Sequence, residues 1–276
     1  MDLAIKRTFV LYTSGSKRRL LACVVSEARK LAACVTKMKQ ETHTAATGAK
    51  AKGDRTRQAI LETAVHIASA EGLEGLTIGR LAAELTMSKS GLFAHFGSKE
   101  ELQVATVAAA RSVFIREVIR PAFETEAGLL RLWKLCDIWL SYVQSGVFRG
   151  GCFFAAAASE FDSRPGPVRD SIAEIMKEWL AVLRDAVIEA QKAGQLEKDL
   201  DPTQLAFEFN SLELGANWAF QLYSDRQAFV RAREAILERL RRHATRSGSL
   251  LLQPEKLKRG RSRARSESVK HGHTRK

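Results

Sequence analysis

Between residues 54 and 243 apolar side chains return every three or four positions, and no stretch alternates strictly between apolar and polar. That is the period of helices, and it predicts an all-α chain. The first predicted helix, residues 54–71, turns Ile60, Leu61, Ala64, Val65 and Ala68 inward. Gly72 stands where a left-handed cap is expected, with Leu73 as the apolar residue that packs back on it. Thr77 is placed to cap a short helix through Leu85. Thr86-Met87-Ser88 reads as a three-residue turn, and Ser88 caps a second short helix, 89–95. Ser98-Lys99-Glu100-Glu101 has the spacing of a capping box and starts a long helix toward Arg120. Pro121 is expected to end it.

The helices then lengthen. One covers about 126–145, and a Gly150-Gly151 turn leads into the apolar run 152–158. Arg164-Pro165-Gly166-Pro167 breaks the chain before the clearest amphipathic helix, with Val168, Ile172, Ile175, Met176, Trp179, Leu180, Leu183 and Val187 at core spacing. Gly194 ends it. Asp201-Pro202 opens another helix, a cap followed by proline at the first position, and the last helix runs over about 225–243.

Charge divides the chain differently. Of 276 residues, 44 are Lys or Arg and 31 Asp or Glu, for a net charge of +13. Residues 1–52 carry a net +8 and residues 254–276 a net +7, leaving 53–253 slightly acidic at −2. A globular middle therefore lies between two basic ends. With 45% apolar and 27% charged residues, the chain as a whole is not a disordered polyelectrolyte. No run approaches the roughly 18–20 apolar residues of a membrane span. Residues 40–53 suit a flexible arm, and 244–276, with its Arg-Gly-Arg-Ser-Arg repeat character, reads as a disordered tail. Residues 1–37 are expected to be dispensable, with Met38 as the natural start.

Several chemistries find no support. Cys23, Cys34, Cys136 and Cys152 are widely spaced and the six histidines scattered, so neither a metal site nor a disulfide framework is expected. A reducing, cytoplasmic setting follows. No phosphate loop, dinucleotide-binding glycine turn, nucleophile elbow or HExxH motif occurs. Neither catalysis nor a cofactor is expected.

Two short helices joined by a three-residue turn and framed by longer ones make a helix-turn-helix, which lays its second helix in a major groove while nearby helix N-termini face phosphates. Residues 55–102 resemble the DNA-binding domain of the TetR family of ligand-responsive repressors. The likeness is strongest in Leu76-Thr77-Ile78-Gly79-Arg80-Leu81-Ala82 and in the run from Ser88 through Phe93, His95 and Phe96 to Leu102. It implies that Lys89 and Ser90 reach base edges and that Gly91 allows close approach. It also implies that Thr77, Ser88, His95 and Lys99 meet phosphates, and that Leu92 and Phe96 are core. Phe93 stands where the family usually has tyrosine, leaving ring packing without a hydroxyl. Thr86 stands where it usually has glycine.

The resulting organisation is a basic extension (1–53), a helix-turn-helix domain (54–120), a larger helical ligand-binding and dimerisation domain (121–243) and a basic tail (244–276). In the larger domain Trp139, Phe153, Phe154, Trp179, Asn217 and Trp218 suit an apolar pocket with a few polar groups, together with Trp133 and Phe207. The expected partners are a double-stranded operator with an inverted repeat, a small apolar or aromatic effector, and a second copy of the chain through helices 203–222 and 226–243. The rival reading is a nucleic-acid-coating protein driven by its basic ends.

Overall fold

The computed structural model describes residues 48–259, and among these all regular structure is helical, apart from one isolated antiparallel bridge between Leu196 and Ala244. Residues 1–47 and 260–276, including Met38 and most of both basic ends, lie outside the described residues.

Helix α1 spans Gly48–Glu71. It starts earlier than periodicity predicts, because Ala49, Lys50, Ala51 and Lys52 all favour helix and Gly53 does not take a left-handed conformation. Gly72 does, at φ 86°, and its N–H donates to Ala68 O at 3.0 Å. Leu73 behind it is buried. Three capped helices follow. Thr77 Oγ1 accepts from Arg80 N–H ahead of α2 (Ile78–Leu85), Ser88 Oγ from Gly91 N–H ahead of α3 (Lys89–Phe96), and Ser98 Oγ from Glu101 N–H ahead of α4 (Lys99–Phe114). Each cap satisfies an amide that the helix cannot.

Pro121 does not end α4. The helix runs as Lys99–Phe114, passes through a π turn, Ile115–Ile119, and continues over Arg120–Phe123. Proline has no N–H to give and its ring crowds the carbonyl four residues back. In the π turn Arg120 N–H donates to Ile115 O, which shifts the hydrogen-bond register and accommodates the ring.

The larger helical part comprises α5 (Leu129–Gln144), α6 (Phe153–Phe161), α7 (Pro167–Lys192), α8 (Pro202–Tyr223) and α9 (Gln227–His243). The long α7 packs against α4, α5, α6 and α8, and α9 closes over α5 and α8. A buried ion pair, Arg233 Nε to Asp137 Oδ1 at 2.8 Å, fastens α9 to α5, and Arg233 also donates to Ser141 Oγ.

The expected tail is also corrected, since its first part is folded. Thr245 caps α10 (Arg246–Leu251), Leu252 is buried in the core, and α11 (Pro254–Arg259) follows. Lys134 Nζ donates to Leu257 O at 3.3 Å. The run Leu250-Leu251-Leu252 is the apolar signal that the basic composition of the segment masks.

One backbone contact joins α1 to the loop before α6. Gly150 lies so close to Ser69 that an added Cβ would collide with the Ser69 carbonyl oxygen. Beside it His66 and Phe148 meet edge to face, ring centroids 5.6 Å apart. Gly150→Ala is therefore expected to cost roughly 1–3 kcal/mol of stability through overpacking. Urea unfolding should register it as a lower midpoint at unchanged slope, and a midpoint equal to wild type would show that the loop yields freely.

Candidate nucleic-acid interface and interior cleft

Helix α3 has two distinct faces. Leu92 and Phe96 are buried, and the Arg57 guanidinium lies over the Phe96 ring at 4.8 Å. Lys89, Ser90, Phe93 and Ala94 point to solvent, with Phe93 51% exposed. The Lys89 chain runs back along the start of α2, so that a Cβ on Gly79 would meet Lys89 Cε at 3.6 Å and Nζ at 3.8 Å. Ser88 Oγ, besides capping, lies 3.2 Å from Ser90 Oγ. Gly91 is held against the cap: a Cβ there would come within 3.1 Å of Ser88 Oγ. Seven of the eight candidate residues thus sit on or next to the exposed end of the helix-turn-helix: Thr77, Ser88, Lys89, Ser90, Gly91, Phe93 and His95, the last on the final turn of α3 beside Phe96.

Lys99, the eighth, is engaged within the protein. Its Nζ lies 2.8 Å from Glu74 Oε1, and Glu74 also meets Arg164 at 3.6 Å. The Lys99 contact holds the Glu74 carboxyl below its ordinary value, helped by Gln103. Arg80 is likewise committed, to Glu71 at 2.7 Å and Glu84 at 2.8 Å. Lys89, unlike Arg80 and Lys99, forms no ion pair among the described residues.

The turn between α2 and α3 bends at Thr86, which holds φ 51° and ψ 36° with its Oγ1 donating to Leu85 O at 2.7 Å. Its N–H and that of Met87 close on Ala83 O and Ala82 O. Left-handed geometry costs a β-branched residue roughly 1–2 kcal/mol.

Inside the larger helical part is a cleft of about 330 Å³, counting the space at its open mouth. Its enclosed portion admits little more than a water molecule. Of the six predicted ligand residues, Trp139, Phe154 and Trp179 line it. Phe114 from α4 joins them, edge-on to Trp179 at 5.3 Å and to Phe154 at 6.0 Å between centroids. Phe153 packs behind, tilted against Phe148 and edge-on to Phe154. Asn217 supports the wall, its Oδ1 accepting from Cys152 N–H at 2.9 Å. Trp218 is not part of this interior. It is 57% exposed on the outer face of α8, its ring against Tyr223, because helical rotation carries it about 100° away from Asn217.

Sequence reasoning overlooked Glu213. It is fully buried on α8, and neither carboxyl oxygen has a hydrogen-bond partner. Burial drives its carboxyl well above the ordinary range, while the neighbouring Cys136 thiol and Trp179 indole N–H favour its charged form only in part. The signal was present in the spacing: Glu213 sits four residues after Phe209 and eight after Leu205, a charge on the apolar stripe of its helix. Among the described residues no group of His, Cys, Asp and Glu is arranged to hold a metal ion, and no helix is long and apolar enough to cross a membrane.

The fold and the exposed helix-turn-helix define a class of DNA-binding regulator, and comparison with known proteins agrees. The family of bacterial regulatory proteins called tetR matches residues 60–106, and the tetracyclin repressor-like C-terminal domain matches residues 128–236. The chain belongs to the TetR family and is a transcriptional regulator of that family. The HTH-type transcriptional regulator TcmR of Streptomyces glaucescens is 25% identical over 194 residues, which covers 68% of this chain and 83% of that protein. A TetR regulator from Chloroflexus aurantiacus J-10-FL has the same fold, with a TM-score of 0.66 at 21% identity over 70% of this chain and 98% of its own. AibR, solved in complex with isovaleryl coenzyme A and operator DNA, matches with a TM-score of 0.53 and 25% identity over 65% and 95% of the two chains.

Replacing Thr86 by glycine should relieve the strained turn. Allowing for the greater freedom of glycine in the unfolded chain, the expected gain is about 0.5–1 kcal/mol. Thermal unfolding of Thr86→Gly checks this, and a fall in Tm would mean that the Thr86 hydroxyl contact outweighs the strain.

Proposed function

We propose that this regulator is a homodimeric repressor that binds an inverted-repeat operator and is released from it by a small ligand with an apolar or aromatic body. The observation that carries the DNA reading is the outer face of α3, where Lys89, Ser90 and Phe93 are exposed together while Leu92 and Phe96 anchor the opposite side. Lys89 and Ser90 read base edges. Thr77, Ser88 and, once it leaves Glu74, Lys99 meet phosphates at three capped helix N-termini, where amide groups and the helix dipole favour anions, and His95 meets one from the last turn of α3. The ligand reading rests on the aromatic cleft between α4, α5, α6, α7 and α8, and a structure of AibR holding both a coenzyme A thioester and operator DNA lends it support.

The dimer reading rests on α8 and α9. Phe207, Trp218, Leu222 and Tyr223 on α8 and Val230 on α9 are exposed, with Trp218, Leu222 and Tyr223 each more than half accessible. A contiguous apolar surface of this kind marks an interface. Two copies joined there present two recognition helices related by a twofold axis, which an inverted repeat matches.

Selection of bound duplexes from a random pool should recover an inverted repeat whose half-site centres lie about one or more helical turns apart, each roughly 10–10.5 base pairs. On that duplex Lys89→Ala should lose on the order of 1–3 kcal/mol and relax sequence preference. Lys99→Ala should instead weaken all sequences alike and flatten the salt dependence by about one phosphate contact. The reverse pattern would exchange the two roles.

Trp218→Glu tests the dimer. Light scattering should find monomers where wild type gives dimers, and operator affinity should fall steeply. A variant that stays dimeric would place the interface elsewhere.

A further inference from the structure

Directly behind the cleft wall lies a feature that an apolar ligand would leave unexplained. Asn210 and Leu214 line the cleft, and Glu213 lies between them in sequence, on the inward face of α8. Two other lining residues, Trp179 and Cys152, border its carboxyl. Both of its oxygens are buried without a hydrogen-bond partner. An unpaired carboxylate buried in this way costs several kcal/mol, and even the neutral acid strands a donor and an acceptor. Its neighbours offset that cost only in part: the Cys136 thiol is a weak donor, and the Trp179 indole N–H borders the carboxyl without meeting hydrogen-bond geometry. Trp179 borders the carboxyl and, with Phe114, Trp139 and Phe154, gives the cleft an aromatic wall that has no side chain of positive charge among the lining residues. Aromatic walls over a lone carboxylate form the complement of a lipophilic cation.

We propose that the effector is a cation: an amine or quaternary ammonium on an apolar or aromatic body, its charged nitrogen seated on Glu213. This assignment rests on the ligand-binding reading of the cleft given above and specifies its chemistry. Burial pushes the Glu213 carboxyl well above its ordinary range in the empty protein, which favours the protonated form, so binding is an exchange. The O–H bond of Glu213 breaks, its proton leaves to solvent, and the ammonium enters with its charge intact to face the resulting carboxylate. The titratable groups facing Glu213 are the Cys136 thiol on α5 and the Cys152 thiol at the start of α6. Burial pushes both up, Cys152 to about 11, so both stay neutral while Glu213 ionises. Cation affinity should therefore rise by up to about tenfold per pH unit as long as the free carboxyl remains protonated. A neutral ligand should show no such slope.

Two probes of one shape isolate the charge: benzyltrimethylammonium and neopentylbenzene, which differ by nitrogen against carbon. Each is titrated into the full-length protein with tryptophan fluorescence as the readout, because Trp139 and Trp179 stand in the wall. Calorimetry in buffers of different ionisation enthalpy counts the protons released. The expected result is saturable binding of the cation, about tenfold or more tighter than its isostere, with close to one proton released. In Glu213→Gln the preference should vanish and the proton release with it. If the neutral probe binds as tightly as the cation to wild type, the cleft is a ligand site but the charge assignment is overturned. If the cation preference survives in Glu213→Gln, Glu213 is not its seat and the proposal fails. If neither probe binds, the proposal falls together with the ligand-binding reading. The comparison on wild type decides the charge even if Glu213→Gln does not fold.

Discussion

The carboxylate of Glu160 holds the reading head to the rest of the molecule. It lies near the end of α6 and accepts hydrogen bonds from the backbone N–H groups of Leu73 and Glu74, both at 2.8 Å. Those amides are available because α1 has just ended at Gly72, in left-handed geometry, and a carboxylate on two N–H groups is a strong, directional joint. The same short loop is held from other sides. Glu74 takes Lys99 from α4 and Arg164 from the loop after α6, and Gln103 donates to Leu73 O at 2.9 Å. Next to it Gly150 brings the backbone before α6 against Ser69. Helices α2 and α3, which the loop introduces, are therefore oriented by what α4 and α6 do.

Helix α6 is nine residues long, and its two ends face different tasks. Its start at Cys152 lines the cleft and is tied by Asn217 on α8. Its end carries Glu160. Helix α4 makes a second span: Lys99 at its beginning is bound to Glu74, Phe114 further on is a cleft wall, and Arg111 pairs with Glu178 of α7 at 3.0 Å. The π turn follows directly after Phe114. On the proposed function, a ligand that enters a cleft with almost no enclosed space must part Phe114 from Trp179, and two of the wall elements, α4 and α6, lead to the loop at residues 72–74. The ligand changes DNA affinity only if it binds the parted and closed arrangements unequally. A cleft that is nearly shut without ligand supplies that inequality.

Local signals in the chain were readable wherever one residue determines the geometry. Thr77, Ser88 and Ser98 cap the helices they were expected to cap, Gly72 takes the left-handed bend, and Thr86 does so despite its branched side chain. The register of α3 was legible too, since Leu92 and Phe96 inward forces Lys89, Ser90 and Phe93 outward. What failed depended on tertiary context. Pro121 reads as a stop unless a π turn upstream resets the ladder, and nothing in Ile115–Ile119 announces that turn. The fold of α10 and α11 depends on docking of Leu252 and Leu257 against distant residues, which composition does not encode. The pairing of Lys99 with Glu74, 25 residues away in sequence, needed the structure. The phosphate role that the resemblance implies for Lys99 is a separate matter, which its present contact neither supports nor opposes.

Helix α8 shows why the interior site was only partly legible. It is apolar on more than one side: Leu205, Phe209 and Ala216 face the core, and Phe207, Trp218 and Leu222 face out. A helix with a single apolar stripe can be oriented from sequence, whereas one that is apolar nearly all round has no unique inward side. Trp218 and Asn217, adjacent in the chain, were therefore both drawn toward the cleft, although only Asn217 reaches its wall. The outward side carries information of its own, because surface like that of Trp218 and Leu222 is normally covered. Glu213 interrupts the inward side, and on that side a charge has no reason to exist unless something of opposite charge comes to meet it. The two sides of α8 thus lie back to back, a buried carboxyl beside the cleft wall and an exposed aromatic stripe that the proposed dimer covers. With both on one helix, a shift that a ligand causes at Glu213 reaches, on the proposed function, the face where the two copies join.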